Sequence, residues 1–507
     1  MASCDRSFLD YDESAWLYDQ PPSGDSFMET GRALVSSTPV GVGHWDVVHF
    51  AHIARYGYTH EHLHAFFPAI PLLWRLVETI VFCGRQRWAA TAFIISMVNA
   101  AAFGIAALAL RALTWRRFDS ATLSSWWPDG SLRKFSTECD AEGAPPAMAP
   151  RSGWRGHSAE VSPLSQRNDG GPPSNGTEAL VGLSVLLFIV NASAPFTAAA
   201  YTESLFACFS MVFIWGIGTT PPRRPSSLQE ASRMLLWACT FGVLAGIVRS
   251  NGMMLAGFAV QRIIGHLIAS VHRGKSSWKR LATSCLVLLL YALSAAVIVA
   301  PYVYLNYVGY ATFCGEERRL SSQPPGSHER HPDGSGAAEC PAHFLGFYGY
   351  LQKRYWGVYW FFYYTPNNIP NFILAAPLFL LTAISASQMW RGVPLATFLR
   401  VHVLEEPNFA YLLAMLLLTL TRMHVQVATR FVACCPALYW IFAVGCWRAV
   451  VRACPQRGKA AGGGESRGRE SSVRPNSSLL LLRCLLTYPI VFTGIGTFLF
   501  SNFLPWT

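Results

Sequence analysis

The sequence predicts an all-α polytopic membrane protein: a bundle of about ten spanning helices with an amphipathic helix beside it. Three observations predict this class. Of 507 residues, 52% are hydrophobic and only 14% charged, against about 25% charged in an ordinary soluble domain. The apolar residues gather in runs close to the ~20 residues a bilayer demands. The basic residues, 40 Lys and Arg against 29 Asp and Glu, fall unevenly among the loops between these runs. Such a composition excludes a soluble enzyme, a disordered protein and a secreted disulfide scaffold. The 13 Cys include no CxxC pair, so no zinc or redox motif is indicated.

Residues 1–43 form a polar N-terminal segment without a signal sequence or span. Residues 44–87 read as a loop containing the apolar stretch Phe66–Cys83. That stretch carries Pro68, Pro71, Arg75 and Glu78, and one charge at mid-membrane costs about 2.5–3.5 kcal/mol. It is therefore read as a helix lying in the interface. The bundle occupies 88–502, with spans at 88–110, 179–198, 203–218, 234–249, 252–270, 281–305, 372–388, 408–421, 431–447 and 484–502, and residues 503–507 form a short tail.

Charge sets the orientation. If 66–83 does not span, the loops 111–178, 219–233, 259–280, 389–407 and 448–483 share one side and hold 26 of the 40 Lys and Arg. Basic loops are cytoplasmic, so residues 44–87 and the tail face the opposite, lumenal side. Because residues 1–44 contain no span, this orientation predicts that an upstream spanning helix is missing from the chain. The cytoplasmic inserts 116–177 and 455–478 are rich in Pro, Gly and Ser or in Gly and basic residues, a composition that cannot offset its ordering entropy. Asn175, Asn191 and Asn476 begin N-x-S/T triplets, which on this topology are chance matches.

Five polar clusters map to the lumenal side. The first, residues 43–68, holds Asp46, His49, Glu61 and His64 among further histidines and aromatics. The second, AAAYTESLFA, holds Tyr201 and Glu203. The third, VRSNGMML, holds Arg249 and Asn251. The fourth ends in KRYWGVYWFFYYTPNNIPNF and includes Tyr355 and Trp356. The fifth, TRMHVQVATRF, holds His424, Gln426 and Arg430. Ionisable groups at membrane depth are candidate functional groups. Together these offer carboxylates, guanidinium groups, imidazoles and aromatic platforms, a set suited to a sugar and a phosphate arriving from lipid.

Plainer readings stand beside each cluster. The histidines match no specific metal-ligand spacing, and no metal is expected. The aromatic run suits an interface belt as well as sugar stacking. Arg249 can snorkel to headgroups, Glu203 can cap the helix after Thr202, and Asp46 can serve a plain turn. Cys314 and Cys340 can pair on an oxidising side.

HWDVVHF (44–50), GYTHEHLHAFFP (57–68), AAYTESLFA (199–207), RSNG (249–252), YWGVYWFFYYTPNNIPNFILAAP (355–377), HVQVATRF (424–431), PALYW (436–440) and NFLPWT (502–507) resemble one family, GPI mannosyltransferase 2. The resemblance implies a GT-C-class bundle in the endoplasmic-reticulum membrane with a lumenal site. It implies transfer of the second mannose, in α1,6 linkage, from dolichyl phosphate mannose to the mannosyl-glucosaminyl-phosphatidylinositol precursor of GPI anchors. It implies no cofactor beyond that donor, no nucleic acid, and room for one small membrane partner subunit. Departures are the absent first span, the two inserts, and Val48 in place of an acidic residue.

The donor is β-linked and the product α, so one inverting displacement suffices. Asp46 is the first candidate for general base, with Glu203 second and Glu61 third. Arg249 and Arg430, with His424 donating alongside, are candidates for the leaving phosphate. His49, His64, Tyr201, Asn251, Tyr355, Trp356 and Gln426 are candidate substrate contacts. Alternatives are a GT-C mannosyltransferase with another acceptor, a non-catalytic scaffold, and a membrane transporter, although the halves share no repeated motif.

Overall fold

The computed structural model describes residues 46–85, 87–118, 175–197, 199–218, 225–271, 278–315, 340–390, 407–453 and 475–501. The N-terminal segment, most of both predicted inserts, His44, Trp45 and the terminal NFLPWT lie outside the described residues. Among the described residues every regular element is helical.

The ten predicted apolar segments are mostly helical among the described residues, with breaks at 190–193 and 433–435. In chain order, α1 spans Asp46–Tyr56, α2 Ala69–Ile80, α3 Trp88–Arg117, α4 Asn175–Ile189 and α5 Glu203–Ile217. Then come α6 Leu228–Val248, α7 Ala256–Val271, α8 Trp278–Cys314, α9 Phe347–Trp356, α10 Ile369–Met389, α11 Pro407–Arg422, α12 Ala428–Val432, α13 Pro436–Ala453 and α14 Pro475–Ser501. Among the described residues six helices are long and apolar enough to cross a membrane, or seven if the pair Val425–Val432 and Pro436–Val450, bent by 91°, is one span. Gly176–Ile189 and Glu203–Ile217 are apolar but shorter. The chain is a multi-spanning membrane protein.

Helix α2 has 12 residues, about 18 Å at 1.5 Å per residue, too short for a hydrocarbon core of about 30 Å. It buries Ile70, Trp74 and Val77 against the bundle and leaves Leu72, Leu76 and Ile80 exposed. Trp74 donates to Glu78 at 3.1 Å.

Local chemistry marks the ends. Ser227 and Glu230 form a reciprocal capping box at the start of α6, the pattern that satisfies two orphan donors together. At the same end of the bundle, Arg116, Arg233 and Arg262 donate to the carbonyls of Trp215, Ile217 and Gly218 at 2.8, 3.1 and 2.5 Å. Cations suit a helix C-terminus, where carbonyls lack partners, so three guanidinium groups close α5.

At the opposite end α8, 37 residues long and hence about 55 Å, runs on to Cys314. A disulfide joins Cys314 to Cys340. It closes a small core with Phe347 and Leu351 of α9. Gly309 of α8 lies under the Phe347 ring, which a Cβ there would meet at 2.3 Å. The disulfide and this close approach fix α9 to the end of α8. C340S is expected to lower both the thermal midpoint of the purified protein and its transfer rate, since loss of a native disulfide typically costs about 2–5 kcal/mol. Substituting the exposed Cys83 is expected to do neither.

Candidate active site

The five polar clusters meet at the end of the bundle that carries α9. Their centre is a buried carboxylate. Glu203, the first residue of α5, is 4% exposed and receives two guanidinium groups. Arg249 Nη1 stands 2.6 Å from its Oε1, and Arg430 Nε donates to the same oxygen at 2.6 Å. Arg249 breaks the helical run between α6 and the 3-10 turn Ser250–Leu255, which turns its side chain inward. Arg430 comes from short α12 at the bend before α13. Arg249 lies over the Phe431 ring at 5.2 Å, and Arg430 over Phe196 at 4.3 Å. Cation–π contacts of this kind replace some lost hydration.

Asp46, the first residue of α1, lies 3.5 Å from Arg430 Nη2 and keeps 38% of its side chain exposed, against 2% for Glu203. Its backbone N–H donates to Tyr201 Oη at 3.3 Å. Burial pushes the Asp46 carboxyl above its ordinary range, Arg430 pulls it down, and Glu203 pushes it up, with burial winning. A substrate that covered the exposed part would strengthen the rise. A raised, partly accessible carboxylate is what a general base needs. Glu203, held by two arginines, is instead the anchor that lets both lie inside the protein.

A cleft of about 230 Å³ opens above these groups. Asp46, Arg249, Arg430, Trp356 and His424 all line it. Thr202, Ser250, Tyr348 and Gln352 also line it, none of them marked by the sequence. Behind the site, Asn99 of α3 donates to the carbonyls of Ala199 and Tyr201 at 2.6 and 2.8 Å. It pins the turn that delivers Tyr201 and Glu203. A polar side chain inside an apolar span was the signal for Asn99.

Other candidates lie elsewhere. Glu61 accepts from Arg354 at 3.0 Å and from Tyr355 Oη at 2.8 Å, so these three clasp the 3-10 turn Glu61–Ala65 to α9. Glu61 and Tyr355 do not line the cleft. His49 stacks on Phe66 at 4.5 Å and also lies off the lining. His64 is 4% exposed and stacked on Tyr58 at 4.5 Å, and neither ring nitrogen has a hydrogen-bond partner among the described residues. Burial pushes its imidazole down to about 4, so it is a neutral packing group. Gln426 accepts from Tyr363 Oη at 2.6 Å, away from the lining. Asn251 is buried, and its amide has no hydrogen-bond partner among the described residues.

His424 does face the cleft and stacks on Tyr363 at 4.6 Å. Its Nε2 donates to the Trp356 carbonyl at 2.8 Å, and burial lowers its pKa. A neutral imidazole has one N–H. That N–H is spent on Trp356, so His424 has no donor left for a phosphate in this state. His49, His60 and His62 approach one another, with ring centroids 5.8 and 5.7 Å apart. Among the described residues no group of three or more His, Cys, Asp or Glu is arranged to hold a metal ion.

Fold and site together define the class: an integral-membrane enzyme whose charged site opens at one end of a helical bundle. The family model described as Mannosyltransferase (PIG-V) matches residues 4–117 and 178–507. The chain belongs to this mannosyltransferase family and is therefore a glycosyltransferase. It is similar to GPI alpha-1,6-mannosyltransferase 2 of Mus musculus, 26% identical over 531 residues covering 94% of this chain and 89% of that protein. The Homo sapiens protein of the same name is 24% identical over 532 residues, with the same two coverages. GPI mannosyltransferase 2 of Schizosaccharomyces pombe is 25% identical over 334 residues, 65% of this chain but only 57% of that protein. No solved structure matches the chain at a significant level.

Proposed function

We propose that this chain transfers the second mannose of the GPI anchor, in α1,6 linkage, from dolichyl phosphate mannose to the mannosyl-glucosaminyl-phosphatidylinositol precursor, in the endoplasmic-reticulum membrane. The observation that carries the proposal is the arrangement of Asp46, Arg430, Glu203 and Arg249 beside the cleft. The names of the mouse and human relatives give the acceptor pathway and the linkage. The donor is the one that the family resemblance of the sequence implies, and two arginines beside the cleft suit its phosphate.

The acceptor 6-hydroxyl attacks C1 of the donor mannose from the face opposite the phosphate. The C1–O bond to phosphate breaks, and its electron pair leaves with the phosphate. The hydroxyl proton passes to Asp46, and the β-linked sugar becomes an α-glycoside. With both carboxylates ionised, two guanidinium groups face two carboxylates and the cluster is formally neutral. Protonating Asp46 leaves one positive charge in excess just as the phosphate gains negative charge. Arg430, shared between Asp46 and Glu203, links the two events, and preorganised charge of this kind commonly contributes 10²–10³-fold per donor.

A lumenal site is supported by the paired Cys314 and Cys340, since disulfides persist in oxidising compartments. The basic loops at the far end agree with it. In sealed microsomes, exposed Cys83 is expected to resist a membrane-impermeant maleimide until the membrane is permeabilised, whereas Lys279→Cys, at the far end of α8, reacts at once. Immediate labelling of Cys83 would place the site on the cytosolic side and end the proposal.

The functional test is a microsomal assay with labelled dolichyl phosphate mannose and defined acceptors. Complementation of cells unable to add the second mannose is its equivalent. Transfer only to a different lipid-linked acceptor would replace this acceptor assignment.

A further inference from the structure

Helix α9 presents three different faces to its surroundings. Phe347 and Leu351 are buried in the disulfide core. Lys353, Arg354 and Tyr355 are exposed, with Arg354 and Tyr355 bound to Glu61. Tyr348, Gln352 and Trp356, each four residues from the last, line the cleft. Residues four apart lie one above another on a helix, about 5–6 Å between Cβ atoms, so these side chains form a continuous stripe.

The stripe is held firmly. The Tyr348 N–H donates to Asn306 Oδ1 at 2.8 Å, and its hydroxyl pairs with Ser250 at 3.0 Å. The Trp356 carbonyl is fixed by His424. Gly357 ends the helix at φ +62°, a left-handed turn that glycine adopts without strain. The Val358 N–H then closes back on the Gln352 carbonyl at 2.9 Å.

Two groups on this rigid stripe are uncommitted. The Gln352 carboxamide and the Trp356 indole N–H make no hydrogen bond to another described residue. Neither carries charge, and they face the cleft that Asp46, Arg249 and Arg430 also line. An amide that both donates and accepts, one helical turn from a flat indole, matches a pyranose, which offers hydroxyls at its rim and C–H groups on its face. It matches a phosphate poorly, because it supplies no cation.

We infer that the Tyr348–Gln352–Trp356 stripe is the acceptor-glycan subsite, with Gln352 the specificity-determining residue that reads sugar hydroxyls and the arginines left to the donor phosphate. The inference rests on the transferase reading above and adds which residues hold which substrate. Gln352→Leu removes the amide at similar volume. It is expected to raise the acceptor KM about tenfold, the loss of one or two neutral hydrogen bonds, while the KM for dolichyl phosphate mannose stays within about twofold. Trp356→Phe, which keeps an aromatic face but loses the N–H, is expected to raise the acceptor KM by a few-fold. Lys353→Ala, on the outer face of α9, should move neither constant.

A binding measurement separates this inference from the functional reading. Saturation-transfer NMR with soluble mannosyl-glucosaminyl-inositol should show contact with the native protein and loss of contact with Gln352→Leu. Headgroup binding that depends on Gln352, in a native protein that transfers no mannose, would keep the subsite and discard the transferase reading. Active native protein whose acceptor KM and headgroup binding ignore Gln352→Leu would overturn the subsite. So would an equal rise in donor KM.

Discussion

Asp46→Asn is expected to abolish mannose transfer, lowering the rate by about 10²–10⁴-fold, the usual contribution of a positioned general base, while protein abundance is unchanged. Asn keeps the shape of the side chain and cannot take a proton. Abundance should hold because Asp46 is the one carboxylate of the cluster that opens to the cleft, with 38% of its side chain exposed. The measurement is display of GPI-anchored proteins on cells lacking second-mannose addition, with an immunoblot for the enzyme. Normal display by the variant would remove Asp46 as the base. The pH profile gives a second reading. Asp46 must be ionised to act, and its pKa lies above the ordinary carboxylate value. The rate is therefore expected to fall as pH drops through that raised pKa, placing the acid limb above the usual carboxylate range near 3.9. An acid limb at or below that range would contradict the assignment.

Glu203→Gln is expected to fail differently, by loss of protein. The carboxylate is almost wholly enclosed and both arginines point at one of its oxygens. Neutralising it leaves two guanidinium groups with only the more distant, partly solvated Asp46 to balance them. Breaking a buried ion pair from one side costs about 3–5 kcal/mol, a large share of the stability of any domain. Abundance and the thermal midpoint in detergent should both drop. Adding Arg249→Met to Glu203→Gln should restore part of the abundance without restoring transfer, because the uncompensated charge is gone but the phosphate contact is gone too. A stable, abundant Glu203→Gln protein would show that Glu203 is not the anchor of the arginine pair.

These contrasting expectations for two acidic residues were only half visible in the residue order. Asp46, Glu203, Arg249 and Arg430 stood out because ionisable groups are costly within apolar surroundings. Likewise Arg75 and Glu78 marked α2 as a helix that does not cross. Which carboxylate faced substrate depended on tertiary packing. Glu203 had to meet arginines 46 and 227 positions away in the chain, and pattern cannot show that convergence. Glu61, His64 and Tyr355 stand close in sequence to residues of the cleft but do not line it. Their orientation depends on the 3-10 turn Glu61–Ala65 and on the facing of α9, each set by contacts with α8 and its disulfide. Gln352 carried no signal at all, because one amide on a short polar helix looks like any solvated residue. Its meaning comes only from which of three helix faces it occupies.

Helix α5 has 15 residues, while its neighbour α3 has 30. At 1.5 Å per residue these are about 22 and 45 Å. Three arginines hold the lower end of α5, so its upper end, where Glu203 sits, stops short of the rim that α3 reaches. The floor of the cleft thus lies below that rim. A polyprenyl phosphate reaching it would come in sideways with its chain still in the bilayer, and its phosphate would lose most of its water on the way. In that poorly polarisable surrounding each charge counts for several times its value in bulk water, which makes the depth of the floor part of the catalytic apparatus.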